Sequence, residues 1–459
     1  MSNWYYASET TLDSNTLEWR LIAMSMRARS DIPDRSDGLE VPAAQPLPVL
    51  GGKLRAMRSF TGMTRRQVGL ACAGALTGFA VTTRASSRER VRVMRIPEGG
   101  LQPQVVIDDQ GKLHLAYFAG DPRQGNLFYA VSTDGGATFS RAIPVNSEPG
   151  SAIATGTIRG AQLALGKNGR VHIAWNGSKS DGTLNPDSGK PGMPMLYARM
   201  TDARDAFEPQ RNLMLHSFGL DGGGSLAADQ TGNVYVAWHG IGESEASGTG
   251  KEGEARRRVW IAKSQTEGRT FSTEQKAWPE ETGACGCCGM KIYADRRANV
   301  FVLYRSATES VHRDIYLLTS KDQAKSFQGR LIHKWDINAC PMSSMDFANN
   351  GTVVIGAWET GGQVYWVRVD GDAGFRRQPV SAPGEGKGRK HPRVAVSQKG
   401  EVLLVWTEGT GWQKGGSLAY QLFDESGKPT SEKGQRPGVA AWSFAAVAAR
   451  PDGDFSLLY

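Results

Sequence analysis

No apolar run in the 459 residues approaches the roughly 18 that a membrane-crossing helix needs. There is also no dense basic stripe. The formal net charge of +8 divides into +3 for residues 1–85 and +5 for the remainder, so the electrostatic footprint of a nucleic-acid binder is missing. Nor is the chain short of apolar residues. At 39 % hydrophobic and 22 % charged it is not a disordered polymer. Cysteine is scarce, at 5 residues, and histidine nearly so, at 7. What is abundant is glycine, 56 residues, or about 12 % against the usual ~7 %, which implies many tight turns. Twelve Trp, 15 Phe and 12 Tyr supply large core side chains. The length suits one large domain or two to three ordinary ones.

The N-terminal region reads as an address. Arg65-Arg66 directly precede a short uncharged stretch, Val68 to Val81, and small residues follow, with Ala85 a fitting last residue before cleavage. A basic start, a short apolar core and a small-residue end form an export signal over 63–86. Its arginine pair resembles a twin-arginine leader, the route for proteins exported already folded. Residues 1–62 stand upstream of this signal without clean periodicity. They read as a disordered extension, or as sequence ahead of a true start at Met63. Export places the mature chain, from near Ser86, in the periplasm or outside the cell.

From residue 90 to 459 the chain repeats. PQVVIDDQGKLHLAY, AQLALGKNGRVHIAW, GSLAADQTGNVYVAW, MKIYADRRANVFVLY, SMDFANNGTVVIGAW, PRVAVSQKGEVLLVW and AVAARPDGDFSLLY each hold two alternating runs around a turn. Each copy ends on an aromatic: Tyr117, Trp175, Trp238, Tyr304, Trp358, Trp406 and Tyr459. Period-two alternation around a turn predicts hairpins, and a repeat near 50 residues predicts an all-β propeller. A third run (LFYAVS, MLYARM, VWIAKS and so on) and a fourth complete a four-stranded antiparallel blade. Seven units begin and the last stops after two strands. The alternating Val91–Ile96 segment can complete it from the other end of the chain. Seven blades are expected, with six as the alternative.

The turn after the third strand carries a recognisable mark. Ser132-Thr133-Asp134-Gly135-Gly136-Ala137-Thr138-Phe139 matches S-x-D-x-G-x-T-F, and Ser264 to Phe271 matches it with Thr266 at the Asp position. Ser320 to Phe327 is a decayed copy, and Asp202 with Phe207 and Asp370 with Phe375 are fainter ones. In such a turn Asp accepts backbone N–H bonds and Gly takes the positive φ. The motif resembles the Asp-box, or BNR repeat, of the sialidase-like propellers of the neuraminidase superfamily, and the resemblance covers about 90–459. It implies a fold rather than an activity, and Asp134 is expected to be structural.

Chemistry is expected where the loops leading into the innermost strands, and those joining second to third strands, open on one face. Arg159, Arg305 and Arg393 lie in these positions, with Asp121, Glu408, Asp221, His391 and Trp412. Sialidases of this fold clamp a carboxylate with three arginines, which suits the guanidinium fork. The resemblance therefore offers Arg159, Arg305 and Arg393 as a clamp and Asp121 as an acid, and Glu408 on the same face is a further catalytic candidate. It offers Arg95, in an R-I-P resembling the first sialidase arginine, with Asp221, His391 and Trp412, for binding a glycan or other anionic ligand. A Tyr nucleophile is not found in a convincing place; Tyr420 and Tyr459 read as strand packing.

Cysteine is the distinctive element. Cys72 lies in the leader. Cys285, Cys287 and Cys288 lead into the fourth blade and Cys340 into the fifth, so the four thiols are expected to cluster. In an exported chain this pattern implies a disulfide from Cys340 to one of the other three, or a thiolate-held metal such as zinc, iron or copper, with Met290, Met342 and His312 near enough to suit copper. The strings G-A-C-G-C-C-G and W-x-I-N-A-C-P resemble those of exported bacterial sialidase-like proteins that bring no activity with them. Two functions stay open: an exo-α-sialidase-type glycoside hydrolase, and a non-catalytic propeller that binds a glycan, protein or metal through its cysteine- and arginine-rich face.

Overall fold

The computed structural model describes residues 89–178, 192–242, 253–309, 311–370 and 378–459. The leader, the upstream extension and Phe375 lie outside these residues. Residues 84–459 form one compact unit.

The alternation resolves into seven sheets, each a blade. Blade 1 holds Leu101–Ile107, Leu113–Asp121, Gln124–Ser132 and Ile143–Pro144 in antiparallel order. Blades 2 to 6 repeat the order, starting at Gln162–Leu165, Ser225–Ala228, Lys291–Ala294, Asp346–Asn349 and Arg389–Val396. Blade 3 gains an extra pairing of Ser217–Phe218 with the end of its second strand. The hairpins turn as their residues dictate. Asp108 accepts N–H bonds from Gln110 (3.0 Å) and Lys112 (2.9 Å), and Gly111 takes φ +77°.

Blade 7 closes the ring. It contains Ala446–Ala449 and Phe455–Leu458, and the third strand is Val91–Met94 from the other end of the described chain. That strand pairs parallel to Phe455–Leu458, with Val91 opposite Phe455 and Met94 opposite Leu458. The blade is thus three-stranded among the described residues, with a parallel seam. Arg90 fastens the seam: its guanidinium donates to both Glu401 carboxylate oxygens (2.5 and 2.7 Å) and to the Gly453 carbonyl (2.7 Å).

The core is divided among the blade interfaces. Seven apolar clusters sit one between each neighbouring pair. The repeat-closing aromatics fill them; Tyr117, Trp175, Trp238 and Trp358 are wholly buried. Burying such a ring contributes roughly 1.5–3 kcal/mol per side chain, so each blade is held mainly by its neighbours. The Asp-box turn behaves as a structural knot. Asp134 accepts from Ser132 Oγ (2.7 Å), Thr138 N (2.9 Å) and Thr138 Oγ1 (2.6 Å).

Candidate functional site: the channel mouth

The innermost strands line a narrow axis that polar side chains fill. Lys291 of blade 4 reaches Gln162 of blade 2 (3.3 Å), Gln104 of blade 1 (3.5 Å) and Asp346 of blade 5 (3.7 Å). These residues were not singled out from the sequence, because only ring closure brings them together.

The rim above this axis is strained in a regular way. Gln102, Thr157, Met342, His391 and Trp442 have φ of 52, 71, 47, 51 and 66°. Thr157, Met342 and Trp442 stand in the lead-in loops of blades 2, 5 and 7, and Gln102 and His391 in bulges at the start of the innermost strands of blades 1 and 6. Non-glycine residues in this region cost on the order of 1–3 kcal/mol each and collect at functional sites. Buried Gln102 offsets the cost by stitching loops together. It donates to the carbonyls of Ala154 (2.5 Å) and Trp442 (2.7 Å) and accepts from Gly160 N (2.7 Å).

The arginines nominated for a clamp are all engaged internally. Arg159 donates to the Asp221 carboxylate, to the Asp221 carbonyl and to the Thr155 carbonyl. Arg305 is fully buried. It pairs with Glu359 (3.2 Å) and donates to the carbonyls of Arg313 (2.8 Å) and Glu359. Arg393 lies over the Phe444 ring (4.1 Å) and bonds the Ala445 carbonyl (3.2 Å), with Asp346 at 3.9 Å. Arg95 stands outside the mouth on the closing segment, stacked on Tyr459 (3.9 Å) and bonded to the Gly438 carbonyl (2.6 Å). Asp121 is exposed and caps its own turn through Arg123 N (2.8 Å). Glu408 accepts from Trp406 Nε1 (2.8 Å) and pairs with Arg389 (3.3 Å). The structure therefore places these groups in separate local networks.

Two nominated residues meet in a small depression. His391, Trp412, Trp442, Met342, Lys390 and Thr157 line it. Trp412 is 54 % exposed and stands edge-on to Trp442, 4.6 Å between centroids. Burial holds His391 neutral, its pKa lowered to about 3, and does the same to His239.

The cysteines do converge. Cys285 Sγ lies 3.2 Å from Cys288 Sγ and 3.4 Å from Cys287 Sγ. Cys287 and Cys340, together with a Glu254 carboxylate oxygen, form a second group within 4.8 Å of one another. All four are free thiols in this structure. Cys285 and Cys288 are buried, Cys287 is half-buried and Cys340 is exposed. Glu254 was not anticipated; its Gly- and Glu-rich loop carries no periodic signal. It accepts from Gly286 N (2.6 Å) and pairs with Arg313. Burial opposes ionisation of Cys288, but bonds from Cys285 and Cys287 and the Arg305 charge carry its pKa well below the ordinary thiol value. Met290 and His312 are elsewhere: Met290 is core between blades 3 and 4, and His312 bonds Asp336 (2.6 Å).

No family model matches the chain, and no curated protein matches it. Solved structures do. The Hadza microbial sialidase Hz136 is 13 % identical, with 67 % of this chain and 63 % of that one covered and a TM-score of 0.46. The Penicillium chrysogenum alpha-L-arabinanase complexed with arabinobiose is 13 % identical over 72 % of this chain and 95 % of that one, also at 0.46. The Trypanosoma rangeli sialidase in complex with the inhibitor DANA is 13 % identical over 73 % and 57 %, again at 0.46. This chain spans less than two thirds of the length of both sialidases. At such scores no residue role is carried across. Among the described residues no helix is long and apolar enough to cross a membrane.

Proposed function

We propose that the protein is an exported binding propeller whose cysteine-rich channel mouth is its working face, and not a sialidase-type hydrolase. One observation carries this reading. The three arginines offered as a carboxylate clamp are spent on Asp221, on Glu359, and on Asp346 with backbone carbonyls, while the four thiols gather at the mouth unbonded. An arginine whose guanidinium is already held by internal acceptors has less left for a ligand carboxylate. Asp121 and Glu408, on hairpins of different blades, are likewise bound to their own neighbours. The Arg65-Arg66 leader supports a location outside the cytoplasm.

The test is an assay of the purified chain on fluorogenic sialosides and arabinofuranosides, beside titration of its accessible thiols. The expected result is no turnover above the buffer rate, with thiols that react at the mouth. Turnover that disappears in Arg159→Ala and Arg393→Ala would overturn the reading and restore the glycosidase.

A further inference from the structure

We infer that Cys285, Cys287, Cys288 and Cys340 bind a thiophilic d10 metal ion, Zn2+ or Cu+, at the channel mouth. The inference rests on the binding reading above and names the ligand of that face.

Four of the five cysteines in the chain come from two loops and meet at one place. The sulfurs of Cys285, Cys287 and Cys288 all lie within 4.8 Å of one another, the two shortest separations being 3.2 and 3.4 Å. Thiolates bound at about 2.3 Å around one tetrahedral zinc stand roughly 3.8 Å apart. The spread of these three is that of ligands about a common centre, and Cys340 adjoins them through Cys287, the two sulfurs lying within 4.8 Å of each other. Thiols are weak hydrogen-bonding partners, so packing four of them together gains little by itself.

A cationic side chain stands beside the cluster: Arg313 pairs with Glu254, whose carboxylate oxygen lies within 4.8 Å of the Cys287 and Cys340 sulfurs. The loops are held before any ligand arrives. Cys285 N–H donates to the Arg305 carbonyl (2.9 Å) and Gly289 N–H to the Ser343 carbonyl (2.9 Å), which ties the lead-in loops of blades 4 and 5. Such supports orient metal ligands in known centres. Glu254 belongs to this outer layer, since its oxygens are already taken by Gly286 N–H and Arg313.

The donor set decides the class of ion. An all-sulfur set selects soft or borderline cations and rejects Ca2+ and Mg2+, which take oxygen ligands. The cluster also has an open side: buried Cys285 and Cys288 lie beneath half-buried Cys287 and exposed Cys340, so an ion has a path in from solvent.

The experiment titrates the reduced full-length protein with Zn2+ alone and with Cu+ alone, anaerobically, against chromophoric chelators specific for each ion. A Co2+ titration supplies a spectrum. One equivalent of Zn2+ or Cu+ per chain is expected, with a thiolate-to-cobalt charge-transfer band. Cys287→Ser and Cys340→Ser should weaken affinity beyond the ~10–100-fold typical of outer-layer changes, and Glu254→Gln should fall within that range. Cys340 is exposed, so its variant keeps the test open if a buried cysteine variant does not fold. Failure of both ions to bind, or unchanged binding in Cys340→Ser, overturns the inference. So does peptide mapping that finds Cys340 disulfide-linked in anaerobically purified protein. Glycoside turnover would sink the binding reading whatever the metal result; no turnover and no metal would sink this inference alone.

Discussion

Replacing Arg305 by methionine separates a structural arginine from a ligand-clamping one. The side chain of Arg305 has no exposure and that of Glu359 has 2 %. Removing one partner of such a buried pair typically costs about 3–5 kcal/mol, because the other charge is left uncompensated. That is a large share of the roughly 5–15 kcal/mol that holds a domain together. The pH dependence is a sharper signature. Burial already raises the Glu359 pKa above the ordinary value, with the Arg305 charge and the Gly362 N–H bond opposing it. Without Arg305 the rise grows. The folded variant then keeps a proton that the unfolded chain releases above about pH 4.3. Stability of Arg305→Met is therefore greatest in acid and falls as pH climbs through that value. The gap to the parent widens toward pH 8. Urea unfolding followed by tryptophan fluorescence at pH 5 and pH 8 measures both quantities. Adding Glu359→Met should recover most of the loss, since an apolar pair of similar volume is often neutral or better. A loss under about 1 kcal/mol at pH 8, or no recovery in the double variant, refutes the reasoning and returns Arg305 to ligand binding.

Three further outcomes are expected. A chain beginning at Pro97 loses the strand whose Val91 is fully buried, together with 5 %-exposed Ile96; beside one beginning at Ser86 it should lose roughly 3–6 kcal/mol by denaturant unfolding and elute as aggregates through its bared Phe455–Leu458 edge. His172, His239 and His391 are each held neutral by burial, with pKa lowered to about 3; the unfolded state binds more protons between about pH 6.5 and 3, so stability should fall with pH across that window, and a flat thermal midpoint there would contradict it. Changing Arg65-Arg66 to Lys-Lys should leave the protein in the cytoplasmic fraction; undiminished export by the same route argues against a twin-arginine leader.

The blades were legible because period-two alternation and a closing aromatic recur in each. The position of the seam was legible too, but not its direction, since Val91–Met94 alternates alike read either way. Clustering of the thiols followed from neighbouring lead-in loops. The engagement of the arginines was missed, although the repeat register held the clue. Arg305 follows Tyr304, and Glu359 follows Trp358, at the same place in consecutive blades. Arg159 and Asp221 likewise stand in consecutive lead-in loops. Reading the repeats side by side, and not each residue along the chain, exposes both pairs. Glu254 left no such trace, being in a loop without a counterpart in the other blades.

The parallel seam has a consequence for timing on the ribosome. Val91 must wait for Phe455, about 360 residues downstream, which at roughly 5–20 residues per second is about 20–70 s. Six blades can stack in order as they emerge, each against the one before. Through all that time the strand that will lock the circle has no partner, and the first and last blades remain open to other chains. The ring becomes one object only after Phe455–Leu458 has emerged. An exporter that accepts finished proteins would then meet a closed circle, whereas one that threads an emerging chain would have to leave closure to the far side of the membrane.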